Sequence, residues 1–498
     1  MVNPNILEEL RPFFYPRSIA VVGVSHDRAK FGSSQLSAFR RFGFKGRLYP
    51  VGQGGVTFQG LEGYASVTDI PEDVDLACIC LPAPRVPAAV QECKAKNIPA
   101  VIVLSSGFSE SGRAEAKQLE AELTRLSGNG LRILGPNCFG IYSPGGGVTM
   151  IPGPYFPHES GSVGLLSQSG GVSVEFSRLS SAYGIKPSQV VSYGNACDIT
   201  ELQLLHYFEA DPRTLIVAIY IEGARRGREF FDSARRLALK KPLIILKGGN
   251  TPAGAQAAAS HTASLAGSET AWTALFRQTG AIQVHSLEEL MDTASALSNM
   301  PPQKDPRVAF VCGGGGFAVA ASDNCYREGL IMPALSQKLQ QKLVTILAPV
   351  GTSPTNPVDT GNPFPPTAML QGILDGIASS GEVGSIIIQN SLSSKMHQFF
   401  DAAESVDNEA DEGLTEVPVK FKKRWGMPIM LVLREAGDPG GAISWEDERG
   451  RLRRYYNENG IAVYPTVERA IKALGRVVSY YQWREKAQGT QALSRIKI

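Results

Sequence analysis

The feature that most limits how this chain can fold is the regular alternation of short apolar runs with amphipathic stretches. In the first part of the chain the apolar runs span residues 19–24, 47–51, 74–81, 100–104 and 131–134. Residues 112–126, between the last two runs, carry Ala, Glu and Leu at helical spacing. Strands that alternate with helices favour a parallel, doubly wound sheet, and ligands of such a sheet bind at the carboxyl ends of its strands.

The same alternation continues to the end of the chain and predicts further domains. A second block has apolar runs at residues 162–166, 189–192, 215–221 and 243–246, and a third block opens at residues 307–312. Segments rich in proline or glycine at residues 144–161 and 301–306 separate the blocks. Because 498 residues are too many for one hydrophobic core, we expect three α/β domains. Their predicted bounds are residues 1–145, 146–302 and 303–498.

Two features of the third block lead to separate predictions. Residues 401–416 hold seven acidic side chains and residues 420–424 hold four basic ones, a charge pattern that predicts a solvated insertion. The stretch from residue 466 to about residue 487 predicts a terminal helix.

Charge and composition exclude several classes of protein. Lys and Arg total 49 against 47 for Asp and Glu, so no net field attracts nucleic acid or an anionic membrane. The seven cysteines are scattered and form no paired Cys-x-x-Cys motifs, which favours buried, reduced thiols. The first residues do not resemble a signal peptide, and no apolar run is long enough to span a bilayer. We therefore expect a cytoplasmic protein with no nucleic-acid or membrane partner.

Two glycine-rich turns are candidate anion sites. Gly170 and Gly171 follow Ser167-Gln168-Ser169, and four glycines occupy residues 313–316; each group follows an apolar strand and opens a helix. Without side chains, the free amides and the positive end of the helix dipole can approach an anion closely. Two such helix starts that face one point would form a phosphate site with little or no Lys or Arg. The alternative is that these glycines supply only unusual backbone angles or close packing.

The turn after the first strand is a weaker nucleotide signal. Gly23, Ser25 and Gly32 do not complete a Gly-x-G-x-x-Gly pattern, and no acidic residue follows the second strand, so plain NAD binding is disfavoured. A phosphate-bearing nucleotide held in another way remains open, because the helix start and Lys30 can both contact an anion. A tight turn without a ligand is the alternative.

His261 and Glu222 are the candidate catalytic pair. His261 lies among small residues at 257–267, a run with neither helical nor strand periodicity, which predicts an exposed loop. Imidazole can serve as a base, a metal ligand or a nucleophile near neutral pH. Glu222 ends the strand 215–221, where its carboxylate can orient an imidazole and stabilise the cation formed on phosphorylation. The alternatives are a histidine without a chemical role and an acid that lies on the surface or caps a helix.

Taken in order, several motifs resemble the alpha subunit of the nucleoside-diphosphate-forming acyl-CoA synthetases. This group includes ADP-forming acetyl-CoA synthetase and, more distantly, succinyl-CoA synthetase. The resemblance runs from about residue 14 to about residue 481. Most of its motifs are common singly, but their order is specific. They include Leu134-Gly-Pro-Asn-Cys-Phe-Gly-Ile, Leu166-Ser-Gln-Ser-Gly-Gly, Tyr220-Ile-Glu-Gly, Ser260-His-Thr-Ala-Ser-Leu-Ala-Gly and Asn356-Pro-Val-Asp.

The resemblance implies an N-terminal Rossmann-like CoA-binding domain followed by two flavodoxin-like CoA-ligase domains. It implies that His261 is phosphorylated and that Glu222 bonds its other ring nitrogen, with no metal ligands in the chain. The phosphate site would be lined by Ser167, Ser169 and Gly170 from one helix start and by Gly314 and Gly315 from the other. Coenzyme A would lie near Gly23, Ser25, Lys30, Val51, Pro82, Ser106 and Asn137.

The implied reaction converts acyl-CoA and phosphate to acyl phosphate and CoA, then transfers the phosphoryl group to His261 and on to ADP or GDP. We expect no ATP-grasp domain in this chain. A separate beta subunit would therefore hold ADP or ATP with Mg, in a complex of two alpha and two beta chains or in a homo-oligomer. One departure from the family is Gly52-Gln-Gly-Gly, which replaces an Asn-Pro-Lys that contacts CoA phosphate. The alternative function is a non-catalytic CoA-binding or assembly protein on the same scaffold.

Overall fold

The chain folds into two compact α/β units. One unit comprises Met1–Ser181 and Lys186–Leu290, and the other comprises Ala182–Ile185 and Met291–Ile498. Among the described residues, no helix is both long enough and apolar enough to cross a membrane. The structure, a computed structural model, describes residues 5–27, 29–52, 57–149, 156–251, 253–254, 256, 268–390, 392, 408–434 and 442–496.

Strands and helices alternate along the described chain, as predicted. The strands are β1 Ser18–Val22, β2 Arg47–Val51, β3 Thr57–Phe58, β4 Leu61–Glu62, β5 Leu76–Ile79, β6 Ala100–Val103, β7 Arg132–Leu134, β8 Gly140–Ser143, β9 Val148–Thr149, β10 Val163–Ser167, β11 Pro187–Ser192, β12 Ile216–Ile221, β13 Leu243–Lys247, β14 Ile282–Val284, β15 Val308–Cys312, β16 Val358–Asp359, β17 Ser385–Gln389, β18 Ile429–Val432 and β19 Ala462–Tyr464. The α-helices are Ile6–Phe14, Phe31–Phe42, Val86–Ala95, Ala114–Leu126, Gly170–Leu179, Glu201–Ala210, Gly227–Lys240, Glu269–Thr279, Leu287–Asn299, Gly315–Arg327, Gln337–Val344, Thr367–Ser380, Asn408–Trp425, Ala442–Glu458 and Val467–Ile496.

Three main sheets share one topology. The first has the order β2-β1-β5-β6-β7, the parallel part of the second has the order β11-β10-β12-β13-β14, and the third has the order β16-β15-β17-β18-β19. Counted from its own first strand, each sheet follows the doubly wound order 2-1-3-4-5. In this order the chain reverses direction beside the first strand, and the crevice at that point is where such sheets bind ligands. The predicted fold class is confirmed.

The second sheet also contains two antiparallel strands at one edge. β8 pairs with β11, and β9 pairs with β8. β8 lies before residue 145, so this sheet draws strands from both sides of the predicted boundary between the first two domains. The domain boundaries themselves remain a proposal.

The apolar runs form strands because helices cover both faces of the sheets. Every residue of β1, β5, β6, β10 and β15 is buried, as expected for parallel strands in the middle of a covered sheet. All seven cysteines are unpaired, and all are buried except Cys80, which is half-buried. The prediction of buried, unpaired thiols is confirmed.

The expected solvated insertion is wrong where the structure describes it. Residues Asn408–Trp425 form a helix, and Leu414, Val417 and Phe421 belong to the core of the second unit. These apolar residues recur at helical spacing, which buries one face of the helix although charged residues surround them. Residues 401–407 lie outside the described residues. The predicted terminal helix is confirmed and spans Val467–Ile496.

One ion pair in the second unit joins two helices. Arg469 Nε lies 2.6 Å from Asp292 Oδ2, and Arg469 Nη2 lies 2.9 Å from Asp292 Oδ1. Arg469 Nη2 also donates to the hydroxyl of Tyr183 at 3.0 Å. Burial lowers the pKa of Arg469, but the hydrogen bond and the charge of Asp292 outweigh burial and raise it. Arg469 therefore keeps its charge, and the pair joins the terminal helix to the helix Leu287–Asn299.

Candidate active site

The carboxyl ends of the first sheet bring together the residues predicted to hold CoA. Gly23 follows β1, Val51 ends β2, Pro82 follows β5, Ser106 follows β6 and Asn137 follows β7. Because these strands are parallel, all five residues lie along one edge of the sheet. This edge is where ligands of doubly wound sheets bind. The role of these residues in CoA binding remains a prediction.

The turn after β1 needs glycine for close packing. Gly23 has φ +102°, and a Cβ there would lie 2.6 Å from the carbonyl oxygen of Cys80. A Cβ on Gly32, in the helix Phe31–Phe42, would overlap the carbonyl oxygen of Gly23. The two glycines thus let the helix start close to the strand end, which supports the packing interpretation of this turn.

Ser25 and Lys30 lie at this helix start. The Ser25 N–H donates to Ser33 Oγ at 3.1 Å, and Ser33 Oγ donates back to the Ser25 carbonyl at 2.7 Å. Lys30 directly precedes the helix and is exposed. An exposed ammonium group beside a helix N-terminus suits an anionic ligand such as a diphosphate.

The turn after β10 forms the helix start predicted to hold phosphate. Ser167 ends the strand, and its hydroxyl donates to the Ser169 carbonyl at 2.6 Å. Ser169 caps the helix Gly170–Leu179 and accepts the Val172 N–H at 3.4 Å. A Cβ on Gly170 would overlap the ring of Phe139 where that ring now lies, whereas Gly171 is exposed. The turn therefore combines close packing at Gly170 with an exposed backbone at Gly171.

Glu222 lies beside this turn and is not a surface acid. Glu222 directly follows β12 and is 4% exposed. Its backbone N–H donates to Gln168 Oε1 at 2.9 Å, and its carboxylate accepts the hydroxyl of Tyr220 at 3.1 Å. Since β12 pairs with β10, both contacts hold Glu222 at the crevice beside the first strand of the second sheet. The surface alternative for Glu222 is thereby excluded.

Tyr220 is a neighbour that sequence reasoning did not single out. Burial, and then the charge of Glu222, raise the pKa of Tyr220 well above its usual range. The phenol therefore stays protonated near neutral pH and donates its hydrogen bond to the carboxylate. Strand alternation was the available signal, because residues two apart in a strand share a face.

Lys247 is a second neighbour that was missed. It ends β13 opposite Ile221 and is 3% exposed. Its ammonium group donates to the Gly248 carbonyl and lies 5.4 Å from the centre of the Trp272 ring. Burial lowers the pKa of Lys247, and the charge of Glu222 partly offsets this. A buried cation thus stands near the candidate carboxylate, in a run that looks simply apolar in the sequence.

A polar network connects the edges of the first two sheets. Asn137, with φ +56°, donates from Nδ2 to Asn195 Oδ1 at 3.3 Å. Asn195 Nδ2 donates to Glu110 Oε2 at 2.6 Å and to Glu120 Oε2 at 2.7 Å. Glu110 lies in the region after β6, and Asn195 follows β11. The network therefore holds the predicted CoA edge close to the second sheet.

The glycine run after β15 forms the helix start of the third sheet. A Cβ on Gly313 would overlap Pro363, so packing requires glycine there. Gly314 caps the helix Gly315–Arg327, and a Cβ on Gly316 would meet nothing within 4 Å. A Cβ on Gly315 would lie 3.7 Å from Asp359 Oδ2, which ends the Asn-Pro-Val-Asp motif. Gly315 and Gly316, in the first turn of this helix, are exposed among the described residues.

Two predicted features lie outside the described residues. They are His261 with its loop at residues 257–267, and residues 53–55, which replace part of the expected CoA contact. The pairing of His261 with Glu222 therefore stays a prediction. Within the described ranges, no three His, Cys, Asp or Glu side chains are placed to hold a metal ion.

Comparisons with known proteins agree with this architecture. A model of a CoA binding domain matches residues 17–144, and a model of the succinyl-CoA ligase like flavodoxin domain matches residues 160–297. The chain is 34% identical to the alpha subunit of ADP-forming acetate–CoA ligase I from Pyrococcus furiosus, with 96% of this chain and 99% of that protein covered. It is 30% identical to ADP-forming 4-hydroxybutyrate–CoA ligase from Nitrosopumilus maritimus, with 96% and 65% covered.

A solved structure is similar over nearly the same span. Dinucleotide-forming acetyl-coenzyme A synthetase 1 from Ca. Korarchaeum cryptofilum, in complex with phosphate and ADP, has a TM-score of 0.82 and 30% identity, with 97% of this chain and 98% of that chain covered. The fold and the comparisons together define a CoA ligase of the acid–thiol class. The chain belongs to the ADP-forming acyl-CoA synthetases, and it matches their alpha-subunit part. The resemblance of its motifs is confirmed.

Proposed function

We propose that this chain is the CoA-ligase subunit of an acyl-CoA synthetase that works through acyl phosphate and a phosphohistidine. One observation carries the proposal: Glu222 is buried beside the Ser167–Gly170 turn, at the ligand crevice of the second sheet. A carboxylate held there by its own backbone and by a phenol can orient an imidazole. A scaffold that only bound CoA would need no such carboxylate.

The reaction has three reversible steps. A phosphate oxygen attacks the thioester carbonyl, the carbon–sulfur bond breaks, and CoA leaves as acyl phosphate forms. A ring nitrogen of His261 then attacks phosphorus, and the carboxylic acid leaves with the bridging oxygen. Finally the phosphoryl group passes from His261 to ADP or GDP, which regenerates the histidine. Dividing the reaction lets CoA and the nucleotide use separate sites.

The chain's own residues supply positioning and charge. Phosphoryl transfer requires little beyond these two contributions. The first turn of the helix Gly170–Leu179 would hold phosphate with its amides, and Glu222 would stabilise the imidazolium. Lys247, buried near Glu222, would offset the negative charge that phosphate brings to this crevice.

We further propose that CoA binds along the carboxyl edge of the first sheet and that the nucleotide binds on another subunit. A separate ATP-grasp beta subunit would hold ADP with Mg, in a complex of two alpha and two beta chains. The support is that the Pyrococcus furiosus relative, matched over 99% of its length, is named a subunit alpha. The relative from Nitrosopumilus maritimus is longer, and this chain covers 65% of it.

The test is phosphate labelling of the purified chain with acyl-CoA and radiolabelled inorganic phosphate. We expect acid-labile, base-stable label in the wild type. We expect none in His261→Ala, although this variant should bind CoA as well as the wild type. His285→Ala, which removes an exposed histidine of the same unit, is the matched control and should label normally. A chain that binds CoA but never takes up label would instead be a non-catalytic scaffold.

A further inference from the structure

One exposed aromatic ring lies where the first two sheets meet. Phe139 is 39% exposed. Phe139 lies two residues after Asn137, which belongs to the predicted CoA edge. Its ring packs directly on Gly170, which belongs to the predicted phosphate turn. No function has been assigned to Phe139 so far.

The backbone on both sides of Phe139 is restrained. The Phe139 N–H donates to Ser192 Oγ at 3.1 Å, and Ser192 is buried. Asn137 and Gly140, on either side of it, have φ of +56° and +73°, left-handed conformations that restrict how this segment can rearrange. Because Gly170 has no side chain, the ring contacts the helix start itself. The backbone that carries the ring is therefore restrained beside the start of the helix Gly170–Leu179.

We propose that Phe139 forms the wall of the acyl pocket and selects an uncharged, apolar acyl group over a dicarboxylic one. The inference rests on the proposed function. Acyl phosphate can form only where the thioester carbonyl lies between the CoA sulfur and phosphate. Phe139 stands between the two predicted sites, so the acyl chain that extends from this carbonyl meets its ring. An aromatic ring favours contact with apolar carbon and offers no partner for a buried carboxylate.

The experiment compares acyl-CoA affinities of the purified full chain by titration calorimetry. The ligands are CoA, acetyl-CoA, phenylacetyl-CoA and succinyl-CoA. Phe139→Ala opens space, so the affinity for phenylacetyl-CoA relative to acetyl-CoA should rise by about tenfold or more, in the range that single pocket contacts give. Phe139→Arg supplies a cation, so the affinity for succinyl-CoA relative to acetyl-CoA should rise by about as much. Both variants should bind free CoA within a factor of about two of the wild type.

Leu215→Ala is the matched control. Leu215 is also an exposed apolar residue of the same unit, 57% exposed, but it lies at the opposite end of β12 from Glu222. The inference is overturned if both Phe139 variants bind CoA normally and leave the ratios unchanged, or if Leu215→Ala shifts the ratios equally. If the wild type binds neither CoA nor acyl-CoA, the proposed function itself fails, a result distinct from unchanged ratios.

Discussion

At the scale of single residues, one carboxylate of the candidate site is held by two neighbours. Glu222 is fixed through its backbone by Gln168 and through its side chain by Tyr220. The position of Glu222 could be predicted, because a strand ends just before it and parallel strands end at one edge. Tyr220 could have been found from strand alternation, because it lies two residues before Glu222. Gln168 and Lys247 could not be singled out, because they reach Glu222 from neighbouring strands.

Tyr220→Phe tests this support. It removes one hydrogen bond to a charged group and keeps the ring, so the labelling rate should fall by about tenfold, in line with about 1.5 kcal/mol for such a bond. The measurement is the rate of phosphate uptake from acyl-CoA and labelled phosphate. Tyr207→Phe is the control, because it removes the hydroxyl that accepts from Gln189 Nε2 at 2.9 Å in the same unit. Equal rates in both variants would contradict a positioning role for Tyr220.

Lys247→Met separates stability from activity. Burial lowers the pKa of Lys247 in the folded chain, while the unfolded chain keeps a value of about 10.4. Between these two values the unfolded state binds more protons, so the unfolding free energy of the wild type should rise with pH. In Lys247→Met this contribution is absent, and the variant should be the more stable protein at neutral pH but label more slowly.

Urea unfolding of both proteins at several pH values from 7 to about 10 measures this difference. We expect the stability advantage of Lys247→Met to shrink as the pH rises through this window. A difference that stays constant with pH would show that the ammonium group is not destabilised in the folded state.

At the scale of elements, the glycine turns show why both interpretations of such turns were needed. Gly313 packs against the backbone of Pro363 and Gly170 packs against the ring of Phe139, whereas Gly171 and Gly316 are exposed at the helix starts. The sequence predicted the turns, because each follows a fully buried apolar strand. The sequence could not distinguish the glycines that pack against a neighbour from those that are exposed. The neighbours in question, Phe139 and Pro363, are distant in the sequence.

Gly313→Ala and Gly316→Ala should therefore have opposite effects. In Gly313→Ala the new methyl group overlaps backbone atoms of Pro363, and we expect a loss of about 2 kcal/mol or more, as for other overpacked sites. Gly316 lies within a helix with open space around it, so alanine there should stabilise the chain by about 0.5–1 kcal/mol. Thermal unfolding midpoints measure both, and a common sign for the two shifts would contradict the packing geometry.

The elements missed by the sequence have identifiable physical causes. β8 and β9 are short and join the second sheet only through backbone hydrogen bonds to β11 and to each other, which side-chain periodicity does not reveal. The helix Asn408–Trp425 was missed because its charges dominate the composition. Leu414, Val417, Val419 and Phe421 are buried, but charged residues are interspersed among them in the sequence.

At the scale of the whole molecule, the same doubly wound order occurs in all three sheets, and this is the part of the fold that the sequence predicted best. Alternating strands and helices leave few other arrangements. The histidine loop is the part of the site that remains a prediction. The Asn137–Asn195 network, which holds the predicted CoA edge close to the second sheet, is tertiary and carries no local signal.

The cysteines allow a test of packing across the molecule. Burial raises the pKa of Cys80, Cys93, Cys138 and Cys325 to about 12, and that of Cys312 to about 11. Thiolate is the reactive form of cysteine. At pH 8 we therefore expect a chromogenic disulfide to react within minutes with less than one thiol per chain, out of the seven present. All seven should react once detergent unfolds the chain. Rapid reaction of several thiols without denaturant would contradict this burial.

The second unit includes four residues, Ala182–Ile185, from a distant part of the sequence. They lie in the middle of the first unit's sequence but belong to the second, where the hydroxyl of Tyr183 accepts a hydrogen bond from Arg469. A chimera that replaced everything after residue 290 with the matching part of a relative would therefore combine a foreign terminal helix with the host's tyrosine. Transfer of the second unit between family members therefore requires the exchange of two stretches of sequence. These are Ala182–Ile185 and Met291–Ile498, because the chain enters the second unit at both places.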